Sequence, residues 1–435
     1  MTYHEALAYL DSLNKFGIRL GLERITRLLA LMGNPERSFK TVHVTGTNGK
    51  GSTTATLAAI LHCAGVRAGM YTSPHLVDYT ERIKINQMEI TREQFVEAVD
   101  YTGQFVTRLV SEGCESPTQF EVLTAAAFYH FAVSKVEYAV IEVGLGGLLD
   151  STNVIVPEVS IITNVALDHA DRCGGSLQGV AEHKAGIIKP AVPVITAAER
   201  EILPVIQAKA EQLQAPLYIM GQEFTGSLES QNAEGQVITV RSEQYGQVGP
   251  ARLSLAGRHQ TANSALAVMA ALLLKQRDLR ITVAAIERGL AGVVWPGRFE
   301  VIPGRPAVVI DGAHNPAGAK ALRAALDDNF PGKPIVFLLG ILQDKDIAGM
   351  LDKLIRPVDS VVVTAPESER AAQPETVAKE IRASRVELAL SIEAGIDRVR
   401  NLAGSDGVAC IAGSLYLIGC ARAIINNRQT NFRQV

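Results

Sequence analysis

Residues 42–54, VHVTGTNGKGSTT, place three glycines, a lysine and several hydroxyl side chains between two regular elements. Val42 and Val44 alternate with His43 as in a strand, which Gly46, Gly49 and Gly51 break. From Ser52 an apolar run through Leu61 reads as a helix. A glycine-rich turn entering a helix N-terminus is a phosphate cradle. Backbone N–H groups converge there with the positive end of the helix dipole, and Lys50 adds a full charge. The pattern G-x-x-x-x-G-K-[ST] is not met, because residue 45 is Thr and Gly51 separates Lys50 from Ser52. An ordinary tight βα turn is the plainer alternative and the weaker reading of so many glycines beside a lysine.

Other residues could share that chemistry. Glu142 ends an apolar strand just before Gly144, Gly146 and Gly147, where a carboxylate can hold Mg²⁺ beside a nucleotide phosphate. Its plain alternative is a capping or salt-bridged Glu. Asp168 and His169 follow the next strand. Mg²⁺ prefers oxygen, so His169 taken alone reads as a base or a phosphate contact. Lys184 lies among Ala185, Ile187 and Ile188, which turn it inward, where an ammonium needs a partner or a changed charge state. In the second half, Arg258-His259-Gln260 and Asn263 open a helix, Arg298 follows a Trp-Pro-Gly turn, and Asp311 and His314 lie between a strand and a helix. Asp344-Lys345-Asp346 repeats that placement, and plain N-capping would also explain it.

The elements that must position these residues alternate. Strands are expected at 42–45, 68–72, 138–143, 159–165 and 193–197, with helices between them, which predicts a mostly parallel, doubly wound α/β sheet. Functional residues belong at the carboxyl ends of such strands, and Ser73, Glu142 and His169 fall there. Residues 223–255 read as short strands, a small β-subdomain. Trp295-Pro296-Gly297 marks the hinge, giving domains 1–295 and 296–435. Four more strands, at 307–310, 335–339, 360–364 and 408–412, make the second domain α/β as well.

The totals bound the function. The chain has 435 residues, 47% apolar and 20% charged, too long for one core and globular in profile. A net charge of −3 with dispersed basic residues argues against a nucleic-acid partner. Five cysteines without CxxC spacing read as reduced thiols of a cytoplasmic protein rather than disulfides or structural zinc. Glu5 and Asp11 among the first residues do not suit a signal peptide, and no uncharged apolar run reaches the length of a membrane span.

Taken in order, HVTGTNGKGS, TSPHL, ERIKIN, EVGLGG, LDSTN, KAGIIK, WPGRFE, DGAHNP and GSLYLIG resemble the signature blocks of the folylpolyglutamate synthase/dihydrofolate synthase family, a branch of the Mur ligase superfamily. The resemblance runs from the N-terminal helices to Tyr416. It implies a P-loop ATPase-like domain with a small β-subdomain, then a Rossmann-like C-terminal domain, in a monomer. It further implies ATP and Mg²⁺ as cofactors, with L-glutamate, dihydropteroate and reduced folates as substrates. By resemblance Gly49, Lys50, Gly51 and Ser52 cradle the ATP phosphates. Ser73, Glu142 and His169 match magnesium ligands, and Lys184 matches a lysine carbamylated in relatives. Asn263, Arg298 and Asp311 match nucleotide-binding positions, with His314 near them. Two positions depart: the usual Arg after GLGG is Leu148, and the usual Glu before the carbamylated lysine is His183. Residues 170–175 also match only loosely.

The implied chemistry is coherent. A carboxylate resists direct attack by an amine because hydroxide leaves poorly. Transfer of the ATP γ-phosphoryl makes an acyl phosphate, which glutamate's amine attacks as phosphate departs. A monofunctional folylpolyglutamate synthase, a Mur-type amide ligase with another acceptor, and a non-catalytic nucleotide binder are the rival readings.

Overall fold

A computed structural model describes residues 1–17, 19–167, 172–232 and 235–433. They form two compact units. The first comprises Met1–Ser227, Thr239–Ala251 and Ala262–Val293; the second comprises Leu228–Ile238, Arg252–Thr261 and the chain from Val294 on.

The first unit is built on an eight-stranded sheet. Its strands are β1 (Lys40–Thr45), β2 (Ala68–Tyr71), β3 (Ile83–Ile85), β4 (Met88–Glu89), β5 (Tyr138–Glu142), β6 (Val159–Ile162), β7 (Val194–Thr196) and β8 (Leu217–Ile219). They are ordered β4-β3-β2-β5-β1-β6-β7-β8. The two antiparallel pairings are those of β3 with β2 and β4; every other pairing is parallel. The expected α/β fold is therefore present, with three short strands, β3, β4 and β8, that the apolar pattern did not reveal. β5 and β6 are buried throughout, and β1 beyond Lys40, as helices on both faces require. β1 lies between β5 and β6, so the loops leaving these three strands share one crevice at their carboxyl ends.

The helix carrying the glycine turn, Lys50–Cys63, is buried from Ser52 to Leu61 and has no exposed stripe. Helix Val283–Gly292 crosses it closely: a Cβ on Gly289 would come within 2.5 Å of the Ile60 Cα. That contact fixes where the turn at the helix N-terminus sits.

Three strands, β9 (Phe224–Asn232), β10 (Gly235–Ser242) and β11 (Gly246–Leu253), form the small sheet expected near 223–255, ordered β11-β10-β9. The second unit holds β12 (Glu300–Ile302), β13 (Ala307–Ile310), β14 (Ile335–Leu339), β15 (Ser360–Val363), β16 (Arg385–Leu388) and β17 (Val408–Ala412). Their order is β12-β13-β17-β14-β15-β16, parallel except at β12. The four expected strands are present, flanked by two edge strands that were not expected. Among the described residues, no helix is long and apolar enough to cross a membrane.

An ion pair is buried in this second unit. Arg323 donates from Nη1 to Asp359 Oδ2 at 2.9 Å, and the Arg356 amide donates to the same oxygen at 2.8 Å. Asp359 is only 2% exposed. Asp359→Ala strands the guanidinium next to a cavity while Asp327 still holds its other edge. The expected cost is therefore at the low end for a broken buried pair, about 3 kcal/mol. Urea unfolding followed by a probe in the second unit checks this; an unchanged midpoint refutes it.

Candidate active site

The glycine turn leaves β1 with no room for side chains. At Gly46 (φ +149°) a Cβ would lie 1.8 Å from Thr163 Oγ1, and at Gly49 (φ +85°) 2.2 Å from Asn263 Oδ1. Both positions combine a left-handed backbone with close approach, which only glycine tolerates. The turn is laced to the end of β6. Thr47 N donates to Asn164 O at 3.0 Å, Asn48 N to Asn164 Oδ1 at 2.9 Å, and Thr163 Oγ1 to Asn48 O at 2.6 Å. Lys50 folds back over it, donating from Nζ to Gly46 O (3.0 Å) and Thr47 O (3.2 Å). The first helical hydrogen bond runs from Thr53 N to Gly49 O, so the amides of Lys50, Gly51 and Ser52 precede the helix's own ladder. These amides, the lysine charge and the dipole can hold an anion together. Asn263 is brought to this turn as well, for Thr53 Oγ1 donates to its backbone carbonyl at 3.2 Å.

Glu142 closes β5 and is 4% exposed. Its Oε2 accepts from the Ser73 amide at 3.3 Å, so two of the residues singled out as oxygen ligands meet at adjacent strand ends. A hydroxyl and a carboxylate are donors that suit Mg²⁺. His169 and Asp168 lie outside the described residues. Among the described residues no three His, Cys, Asp or Glu side chains cluster as a metal site. The segment leaving Ser73 is wired internally: Glu81 accepts from the amides of Leu76, Val77 and Asp78 at 2.8–2.9 Å, and Arg82 donates to His75 Nδ1 at 2.9 Å. Burial, then the Arg82 charge, pushes the His75 pKa down to about 4.

After Glu142 the chain turns through Gly144–Gly147. A Cβ on Gly144 would sit 2.6 Å from the Phe120 ring and 3.1 Å from Asp150 Oδ2. On Gly147 it would sit 2.7 Å from His183 O and 3.3 Å from the Lys184 Cα. The turn therefore lies bare against the end of helix Leu177–Ala185, and Leu148 N donates to His183 O at 2.7 Å. Lys184 is inward, only 5% exposed. The two positions that depart from the family blocks, Leu148 and His183, are thus joined by backbone, with the Leu148 side chain 42% exposed.

Asp150 was missed by sequence reasoning. It accepts from Leu145 N (2.8 Å), Thr152 N (3.0 Å) and Thr152 Oγ1 (2.6 Å), so it shapes the turn after Glu142. Burial raises its pKa against the pull of these bonds. The signal was present in LDSTN, where an Asp two residues before a Thr can cap a short helix.

In the second unit, Asp311 follows β13 and accepts from Phe299 N (2.7 Å) and Ala313 N (2.8 Å). Arg298 lies across Gly312, where a Cβ would meet its Nη1 at 1.9 Å. His314 Nδ1 is 2.8 Å from Gly312 O, so Arg298, Asp311 and His314 gather around one turn. His259 is close by: burial lowers its pKa, as does Arg298, while Asp311 opposes them, which favours a neutral imidazole. Asp346 takes the plain reading, capping helix Ile347–Leu354 through Gly349 N at 2.9 Å.

The chain is similar to known proteins along nearly its whole length. Residues 44–271 match the Mur ligase middle domain, and 297–415 the Mur ligase, glutamate ligase domain. The dihydrofolate synthase/folylpolyglutamate synthase of Bacillus subtilis (strain 168) is 33% identical over 97% of this chain and 98% of its own. The folylpolyglutamate synthase of Lacticaseibacillus casei is 36% identical over the same shares. Among solved structures, Mycobacterium tuberculosis folylpolyglutamate synthase complexed with ADP and AMPPCP superposes with a TM-score of 0.89 at 34% identity, covering 97% of this chain and 98% of that one. E. coli FolC in complex with DHPP and ADP gives 0.88 at 28% identity, over 99% of each chain. The chain belongs to the folylpolyglutamate synthase/dihydrofolate synthase family of ATP-dependent Mur ligases.

Proposed function

We propose that this enzyme joins L-glutamate to dihydropteroate and to reduced folates, using ATP and passing through an acyl phosphate. The observation that carries the reading is the turn at Gly46–Ser52, where glycine is obligatory at two positions and Lys50 closes over the backbone. Its amides bind the phosphates, and Lys50 counters the charge that grows on the transferring phosphoryl group. Ser73, Glu142 and His169 would hold Mg²⁺, which when bound neutralises phosphate charge. Lys184 as a carbamate would present an anion in place of a buried ammonium, whose charge is costly there. Asn263 serves the nucleotide from beside the turn. Arg298 and Asp311 match nucleotide-binding positions within the C-terminal glutamate ligase domain, with His314 near them. How deep the acceptor's ring system sits is a matter for the segments 73–82 and 118–121. Excluding water there protects the acyl phosphate until the amine arrives.

The five free cysteines suit a reducing compartment, and we place the enzyme in the cytoplasm as a monomer. The test gives purified protein ATP, Mg²⁺ and glutamate, with dihydropteroate in one tube and tetrahydrofolate in another. Mass spectrometry is expected to find a glutamylated product in both. Product in one tube refutes the double activity, and product in neither refutes the acceptor class.

A further inference from the structure

Asn153 follows Asp150 in the same short segment and is 3% exposed. Its single amide nitrogen has two hydrogens, and both are used. Nδ2 donates to Leu148 O at 2.9 Å and to Gly186 O at 3.1 Å. The first carbonyl belongs to the turn that follows Glu142; the second lies just past the helix that bears Lys184. One side chain thus staples these two segments. The backbone bond from Leu148 N to His183 O also joins them, and they meet closely at Gly147 and Gly186, which carry no side chains. A Cβ on Gly186 would lie 2.4 Å from the Leu148 Cβ.

The other end of the amide points to the same conclusion. Asn153 Oδ1 is buried with no hydrogen-bond partner among the described residues. A buried acceptor left unpaired costs stability, and an apolar residue of the same shape would avoid it. The nitrogen, by contrast, is fully used. The Asn153 backbone carbonyl is fixed as well, by Lys189 Nζ at 2.9 Å, so the staple has a rigid base. Beyond Gly186, Ser160 Oγ donates to Ile187 O at 3.1 Å and pins the chain to β6.

We propose that Asn153 is a positioning residue for Lys184: its two N–H bonds set the separation between Lys184 and the turn after Glu142. This rests on the reading that Lys184 serves the reaction. No other single side chain bonds both segments among the contacts described above. Asp at this position would turn an acceptor toward two carbonyls, and Leu would leave both carbonyls without a donor.

The test uses the full chain with Asn153→Leu and Asn153→Asp. A displacement of about 1 Å is expected to lower kcat about 100-fold. The KM for ATP should stay within about two-fold, since neither bond reaches the phosphate turn, while the Asn153→Leu melting temperature should fall because two carbonyls lose their donor. The decisive arm repeats Asn153→Leu in a Lys184→Ala background, where the change should cost less than about two-fold if the residue acts through the lysine. An equal loss in both backgrounds overturns the proposal while leaving Lys184 in its role. A kcat for Asn153→Leu within about three-fold of wild type also overturns it. Full activity of Lys184→Ala alone overturns both.

Discussion

Lys50→Ala should leave a folded protein that does not ligate. The side chain is half-buried over the turn and, among the described residues, bonds to the carbonyls of Gly46 and Thr47, so its removal opens no core cavity. What disappears is the one full positive charge at the N-terminus of helix Lys50–Cys63. Phosphoryl transfer depends on groups that counter charge on the oxygens in flight, and removing a principal one costs on the order of 10³-fold or more in kcat. Steady-state assays with each acceptor, alongside circular dichroism, measure this. Activity within a few-fold of wild type would remove Lys50 from the mechanism. The amides of Lys50, Gly51 and Ser52 remain in the variant, so nucleotide affinity should fall far less than turnover.

Lys184→Ala should approach the same loss, about 10³-fold, for a different reason. Lys184 is buried beside the bare backbone of Gly147, where an ammonium is held at a cost and a carbamate would present an anion instead. The expected signature is chemical rescue. Acetate or propionate at high concentration should restore part of the activity in Lys184→Ala and none in Lys50→Ala. Removing bicarbonate should silence the wild-type enzyme reversibly. A high-resolution map with an unmodified amine in a fully active enzyme would end this reading.

Much of this could be read from residue order, and the exceptions share a cause. β1, β5 and β6 were legible because buried parallel strands are continuous apolar runs ending at glycine or Asn. Strands β3, β4, β12 and β16 were not. They are two to four residues long at or next to a sheet edge, and β16, Arg385–Leu388, alternates charge with apolar residues as any loop might. The glycine turn was legible because glycines between a strand and a helix mark a tight turn, although Thr163 and Asn263, which crowd Gly46 and Gly49, are distant in sequence. Lys184 was legible through its apolar neighbours. Asn153 was not, because its role depends on which carbonyls come near after the sheet closes; Asp150 carried a capping signal in LDSTN, but its bond to Leu145 N was not encoded by spacing. His169 lies outside the described residues.

The path of the chain between its two compact units limits how this enzyme could be taken apart or recombined. It passes from one to the other at 227/228, 238/239, 251/252, 261/262 and 293/294. A gene cut once, at the last of these, would not yield two complete pieces. The upstream fragment would carry Leu228–Ile238 and Arg252–Thr261, which belong with the downstream one, and the downstream fragment would lack them. The same holds for a chimera between relatives joined at a single crossover, which would bring together surfaces selected in different proteins. A split or chimera that keeps each compact unit whole would therefore have to respect all five crossings at once.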